Sequence, residues 1–224
     1  APNVPSFRVG YGQALFTTGD LAEAEKQFGA ALQMEPDSYE AKMGKAAVLL
    51  KSGRTQDALP TLADLQERFP DRAEVRFNRA IAMYQLGLYA DAAAVLTTYL
   101  EEYPDDAEAW NALGVVKLGL GQPEQALEDL DRAISLAPNR GSYYFNRGNA
   151  RRERAQLEQA RDDYTRSIMH ATDAAGAYLN RGEVHFLLGE KETACADLAR
   201  ACDMGLCERL ERYRKAGHCK GDSL

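Results

Sequence analysis

Histidine, basic charge and long apolar runs are all scarce in this 224-residue chain, and each shortage speaks against a class of function. Three histidines occur, His170, His185 and His218, and none has a partner at metal-ligand or triad spacing. No stretch approaches the roughly 20 consecutive apolar residues that cross a bilayer, so no segment reads as a transmembrane helix. Lys and Arg total 27 against 34 Asp and Glu, a net charge of -7, which speaks against a nucleic-acid partner, because such proteins neutralise phosphates with surplus cations. No glycine-rich phosphate loop is present. Cysteine is missing from the first 194 residues. The sequence therefore predicts a protein that is not an enzyme, with no catalytic residues, no cofactor and no bound metal.

A composition that is 45% hydrophobic and 27% charged belongs to a folded protein. Charge is unevenly placed: residues 1–139 carry 12 basic and 21 acidic side chains, and residues 140–224 carry 15 and 13, so the two ends suit different partner surfaces. The chain begins Ala-Pro-Asn-Val-Pro-Ser without an initiator Met, which fits either a removed signal peptide or a truncated chain.

Small residues and prolines recur with one period. Pro36, Pro70, Pro104 and Pro138 are 34 residues apart, and Ala24, Ala58, Ala92, Ala126, Ala160 and Ala194 keep the same spacing. Gly19, Gly53, Gly87, Gly121 and Gly189 follow it too, with Ala155 the one exception. Glycine ends a first helix by taking a left-handed backbone, alanine lets a second helix approach closely, and proline stops that second helix. Each period is thus a helical hairpin, giving units 5–38, 39–72, 73–106, 107–140, 141–174 and 175–208. Pro60 falls inside a second helix, early enough to limit its cost. Residues 209–219 read as a short capping helix with Leu210 and Tyr213 on its apolar edge.

These residues resemble the tetratricopeptide repeat family, whose pattern runs Trp, Leu-Gly, Tyr, Ala, Phe, Pro across 34 positions. Trp110, Leu113, Gly114, Ala126, Leu130 and Pro138 match in the fourth unit, with Lys117 in place of the usual aromatic. Tyr11, Gly12, Ala24, Phe28 and Pro36 match in the first. Units five and six have Thr172 and Leu206 where the proline stands, yet Tyr144, Arg147-Gly148, Ala160 and Tyr164 keep the register, as do Tyr178, Gly182, Ala194 and Leu198. His185 occupies an aromatic slot and reads as structural. The resemblance covers residues 5–208 and implies an all-α fold: a right-handed α-solenoid of six helix-turn-helix units with a C-terminal cap at 209–224, forming one domain over 1–224.

The four cysteines cluster at 195, 202, 207 and 219. They lack the Cys-x2-Cys knuckle of a zinc site, leaving two disulfides, unpaired buried thiols, or zinc as the weakest alternative. Cys195 and Cys202 share one helix face, and Cys207 follows a turn at Met204-Gly205, so Cys202 and Cys207 can meet. A cap helix running back antiparallel carries Cys219 to Cys195. Two such bonds require an oxidising compartment, which points to the periplasm or another extracytoplasmic space, with the cytoplasm as the alternative.

The resemblance also implies that the first helix of each hairpin lines a concave groove, with positions five, nine and twelve on one stripe. The expected ligand-contacting residues are Phe77, Ile81, Tyr84, Asn111, Phe145, Asn146, Asn149, Arg152, Leu179, Asn180 and Glu183. Phe77, Ile81 and Tyr84 supply apolar contact; the amides suit an extended peptide backbone, and Arg152, with no evident structural partner, suits a carboxylate. The lysine and asparagine of the chaperone carboxylate clamp are replaced by Val9 and Gln13, although Asn78, Asn146 and Asn180 recur at position six. The expected partner is a protein or peptide, held by an adaptor of bacterial envelope assembly or secretion, or alternatively by a cytosolic adaptor or co-chaperone. Self-association is compatible with the pattern.

Overall fold

The computed structural model describes residues 4–171 and 174–219, and among them the regular elements are thirteen α-helices. Thr172 and residues 220–224 of the expected cap lie outside the described residues. The chain falls into two compact units, Ala1–Tyr103 and Pro104–Leu224, although the 34-residue sequence period runs through their junction unchanged.

The first unit holds three hairpins: α1 (Pro5–Thr18) with α2 (Leu21–Met34), α3 (Tyr39–Lys51) with α4 (Thr55–Arg68), and α5 (Ala73–Gln85) with α6 (Tyr89–Glu102). The second holds α7 (Ala107–Gly119) with α8 (Pro123–Leu136), α9 (Gly141–Glu153) with α10 (Leu157–His170), and α11 (Ala175–Leu187) with α12 (Lys191–Asp203), followed by the short α13 (Glu208–Lys215). Each predicted unit therefore contains one hairpin.

The periodic small residues do what their size allows. All six alanines from Ala24 to Ala194 have no solvent exposure, and four residues further along each second helix stands a buried large side chain: Phe28, Leu62, Leu96, Leu130, Tyr164 and Leu198. Each contributes about 1.5–3 kcal/mol by leaving water. In four hairpins the space they fill exists because the facing first helix carries glycine, at Gly12, Gly114, Gly148 and Gly182, whereas Ala46 and Ala80 stand at that position in the second and third. A Cβ at Gly148 would lie 2.7 Å from the Tyr164 ring, so only glycine admits that ring. Between the helices, the turn residue takes positive φ in every hairpin, including Ala155 at φ 56°, where L side chains meet a steric cost.

Two further motif residues find their reason in hydrogen bonds. Trp110 Nε1 donates to the Pro104 carbonyl at 2.8 Å, and the Tyr144 hydroxyl donates to the Pro138 carbonyl at 3.0 Å, so an aromatic in the first helical turn satisfies the carbonyl of the preceding helix-stopping proline. Pro60 sits at the sixth residue of α4, exposed, and the helix runs through it from Thr55 to Arg68.

The cap is shorter than expected from sequence. Helix α13 stops at Lys215 because Gly217 takes φ 74° and turns the chain back, letting His218 N–H reach the Tyr213 carbonyl at 2.9 Å. That reversal sets Cys219 beside α12. Leu210 and Cys219 bury against Leu198, flanked by Leu179, Cys195 and Tyr213. The Sγ atoms of Cys195 and Cys219 are 1.97 Å apart, as are those of Cys202 and Cys207 at 1.93 Å, the two pairs that the spacing singled out.

Candidate interaction surface

In the first unit the three expected groove residues stand on α5, half-buried. Phe77 tilts against Tyr99 with ring centroids 6.0 Å apart, Ile81 packs on the cluster of Ala46, Leu49, Leu50 and Leu62, and Tyr84 lies 5.7 Å from the Tyr89 ring. Burial pushes the Tyr84 hydroxyl above its ordinary range, with Tyr89 adding to it. These side chains therefore divide their surface between the hairpin interior and solvent.

In the second unit the amides of neighbouring first helices are joined. Asn146 Nδ2 donates to Asn111 Oδ1 at 2.8 Å, linking α9 to α7. Asn180 Nδ2 donates to Asn149 Oδ1 at 2.9 Å, linking α11 to α9, and the same oxygen accepts from the Tyr164 hydroxyl at 2.8 Å. The Tyr164 hydroxyl is pushed up to about 12, chiefly by burial, so it stays a donor throughout the neutral range. Asn111 is itself buried. Phe145 leans on the Tyr164 ring at 5.9 Å.

Arg152 departs from expectation. Its guanidinium pairs with Glu183 at 3.1 Å, because α11 is one period on and places position nine opposite position twelve of α9. Glu183 is pinned from its other side by Arg209 of the cap. The cap also covers Phe186, which meets the Tyr213 ring edge-on at 4.5 Å and His218 at 5.0 Å. Leu179 packs into the same cluster. At the C-terminal end, then, two of the expected ligand-contacting residues, Leu179 and Glu183, are engaged by this chain's own cap.

A second set of polar contacts went unread in the sequence. Asp163, 1% exposed, accepts from Arg147 at 2.9 and 2.6 Å and pairs with Arg151 at 2.8 Å, while Arg147 also reaches Asp131 at 2.6 Å. Arg181 repeats the pattern one period later, with both contacts to Asp197 at 2.7 Å and a hydrogen bond to Thr165 at 3.0 Å. Lys117 lies 2.7 Å from the buried Asp129, and His185 sits between Glu190 and Asp197. A Lys, Arg or His side chain thus faces an aspartate twelve residues later in all three hairpins of this unit. The signal was available, since Lys117, Arg151 and His185 are 34 apart, as are Asp129, Asp163 and Asp197. His185 is accordingly a buried structural residue.

Among the described residues, no group of three His, Cys, Asp or Glu is placed to hold a metal ion, and no helix is long and apolar enough to cross a membrane.

Known proteins share this architecture. Curated relatives are confined to a short segment: DnaJ homolog subfamily C member 3 from Bos taurus is 41% identical over 56 residues, 25% of this chain and 11% of that protein, and its Rattus norvegicus counterpart matches equally. The chain thus spans about a tenth of the length of the curated relatives it matches. Among solved structures, PilF of Pseudomonas aeruginosa superposes with a TM-score of 0.73 at 18% identity, covering 95% of this chain and 97% of that one. The Cut9 and Hcn1 hetero-tetramer of the APC/C gives 0.74 at 17% identity over 93% of this chain and 42% of that one, and a tetratricopeptide repeat protein of Parabacteroides merdae gives 0.57 at 20% over 94% and 97%. At such identities the likeness is one of fold. Tetratricopeptide repeat models match residues 15–82, 49–116 and 107–140, more than half of the chain, which therefore belongs to the tetratricopeptide repeat family.

Proposed function

We propose that this protein is a non-catalytic scaffold that holds an extended segment of a partner protein along the first helices of its hairpins, in bacterial envelope assembly or secretion. The observation that carries the reading is the amide ladder of Asn111, Asn146, Asn149 and Asn180. Each amide has more donors and acceptors than the contacts between helices use, and the half-buried Asn146 and Asn180 have groups left for a peptide backbone. Beside them Phe145 offers apolar area. Arg152, already neutralised by Glu183, acts in this reading as a hydrogen-bond donor rather than a free charge. Phe77, Ile81 and Tyr84 provide the same mixture of apolar and hydroxyl surface in the first unit.

Support for an extracytoplasmic setting comes from the cysteine pairs, because bonds of this kind persist in oxidising compartments.

The test is affinity capture from an envelope extract, comparing the wild-type chain with Asn146→Ala/Asn180→Ala and with Arg132→Glu as control. Arg132 lies on α8 and pairs with the exposed Asp105 at 3.1 Å, a surface contact worth about 0–1 kcal/mol. Loss of a captured protein in the double variant and retention in the control is the expected result. Equal capture by both variants removes the groove reading, and four free thiols in protein isolated from its native compartment remove the envelope reading.

A further inference from the structure

Helix α13 and the four residues after it lie across the last repeat of the groove stripe. Leu179, Glu183 and Phe186 hold positions five, nine and twelve of the sixth hairpin, and the cap meets all three. Leu179 packs in the cluster of Leu210, Cys219 and Tyr213, Arg209 pairs with Glu183 at 2.5 Å, and the Tyr213 and His218 rings close on Phe186 at 4.5 and 5.0 Å. Glu183 divides its carboxylate between two cations, one oxygen on Arg209 and the other on Arg152. The cap therefore occupies the end of the path that a bound segment follows.

Little besides sulfur holds this cover in place. Helix α13 has eight residues, of which only Leu210 and Tyr213 are apolar, and a helix that short does not persist without tertiary support. The Arg209 side chain is 38% exposed, so solvent weakens its pair with Glu183. The two cysteine pairs act at different places. Cys202 and Cys207 close the turn between α12 and α13, where Gly205 takes φ 98°, and so fix a hinge. Cys195 and Cys219, 24 residues apart, join the far end of the cap to the second turn of α12 and so form a latch. Cys219 is 5% exposed, whereas Cys195 is half-buried and within reach of a thiol from solvent.

We propose that the cap is a redox-latched cover: reduction of the Cys195–Cys219 bond by a dithiol lets it swing away about the Cys202–Cys207 turn and opens the C-terminal end of the groove. The dithiol's thiolate attacks Cys195 Sγ, the sulfur–sulfur bond breaks, and Cys219 leaves as a thiolate that takes up a proton. The second thiol, giving up its proton, then attacks the mixed disulfide and frees Cys195 as a thiol; the dithiol departs as its own disulfide, two electrons having passed to the protein. Opening exposes Phe186 and Leu179 and releases one oxygen of Glu183. The end so uncovered takes what the cap itself presents, a helix with a basic residue four positions before an aromatic one, as Arg209 stands before Tyr213. The inference rests on the groove reading for its purpose, whereas the latch is a property of the cap alone.

The experiment uses the full chain, oxidised and after dithiothreitol, and reads backbone hydrogen exchange together with hydroxyl-radical labelling of Phe186. No partner is needed, so the outcome is independent of capture through Asn146 and Asn180. The expected result is exchange over residues 208–215 faster by about tenfold or more after reduction, Phe186 labelling raised about threefold or more, and exchange in α9 to α12 unchanged within about twofold. Cys195→Ser/Cys219→Ser should reproduce the open state without dithiothreitol, and Cys202→Ser/Cys207→Ser should stay closed until it is added. Unchanged exchange over 208–215 once all four cysteines titrate as thiols overturns the inference. So does equal loosening of α11 and α12, which makes the bond a staple of the last hairpin, or a freed α13 with Phe186 labelled no faster. An oxidised chain with Cys195 and Cys219 unpaired overturns it outright, whereas failed capture beside a cap that opens sinks the groove reading and leaves the latch standing.

Discussion

Replacing Asp163 by Asn removes one charge and leaves shape almost unchanged, which makes it a clean probe of the ionic cluster in the second unit. The carboxylate is 1% exposed and accepts from Arg147 through two bonds, 2.9 and 2.6 Å long, while Arg151 approaches to 2.8 Å. Arg147 is itself buried, its cationic form favoured by Asp163 and Asp131 against the desolvation that opposes it. An amide in place of the carboxylate keeps one acceptor, turns its other end into a donor facing a guanidinium, and leaves Arg147 only the half-exposed Asp131 as counter-charge. Breaking one side of a buried pair costs about 3–5 kcal/mol. For a chain of this size that corresponds to a fall in melting temperature on the order of 10 °C.

Thermal melts by circular dichroism, with hydrogen exchange at the amides of α9 and α10, should show the loss concentrated in that hairpin and its neighbours, since repeat proteins transmit stability chiefly between adjacent units. Arg147→Leu in the same chain should restore part of the loss, because Leu113 stands at the equivalent position of the preceding hairpin and packs there, buried. A cost under about 1 kcal/mol for Asp163→Asn, or a double variant no better than the single one, would refute the reasoning.

Ala155→Gly should raise stability by about 1 kcal/mol, read as a higher melting temperature, because it relieves a left-handed turn at φ 56° that the other five hairpins give to glycine. The Asp129 carboxyl is pushed up from its ordinary range, chiefly by burial and against the opposing Lys117, so the fold holds that proton more tightly than the unfolded chain does. Its stabilising effect is full below the unfolded-state value near 3.8 and is lost as pH rises through the raised folded value; Asp129→Asn should flatten that slope in urea titrations and stay within about 1 kcal/mol of wild type at pH 7.

What the sequence made legible was whatever depends on one residue at one period. Ala24 and its successors announced close helix contact, and Gly19 and its successors announced turns, because no other residue type serves those places as well. Cys202 and Cys207 were readable because a turn and a helix face fix a distance over five residues. Contacts between hairpins were not readable in the same way. Asn146 and Asn180 each recur, but their partners Asn111 and Asn149 stand at different positions of their own repeats, so no single spacing marks the ladder. Arg152 looked unpaired because Glu183 lies 31 residues on, three short of a full period. The end of α13 was missed because Gly217 terminates a helix too short to show periodicity.

The two kinds of polar contact answer different needs, and their placement says which. Arg147 bridges Asp163 of its own hairpin and Asp131 of the preceding one; Arg181 bridges Asp197 and, in the preceding hairpin, Thr165. Buried ion pairs add little net stability over apolar packing, yet they penalise any arrangement that leaves one charge alone. In a stack of near-identical hairpins, apolar layers tolerate small rotations of one hairpin on the next, whereas a guanidinium held on two helices does not. Where the family's aromatic is replaced by Lys117, Arg151 and His185, apolar contact area is given up for orientation. Arg147 ties α9 to α8 and Arg181 ties α11 to α10, and the proposed use of the amide ladder in the same unit needs that fixity, because side-chain amides would select a ligand only if their donors and acceptors point in fixed directions.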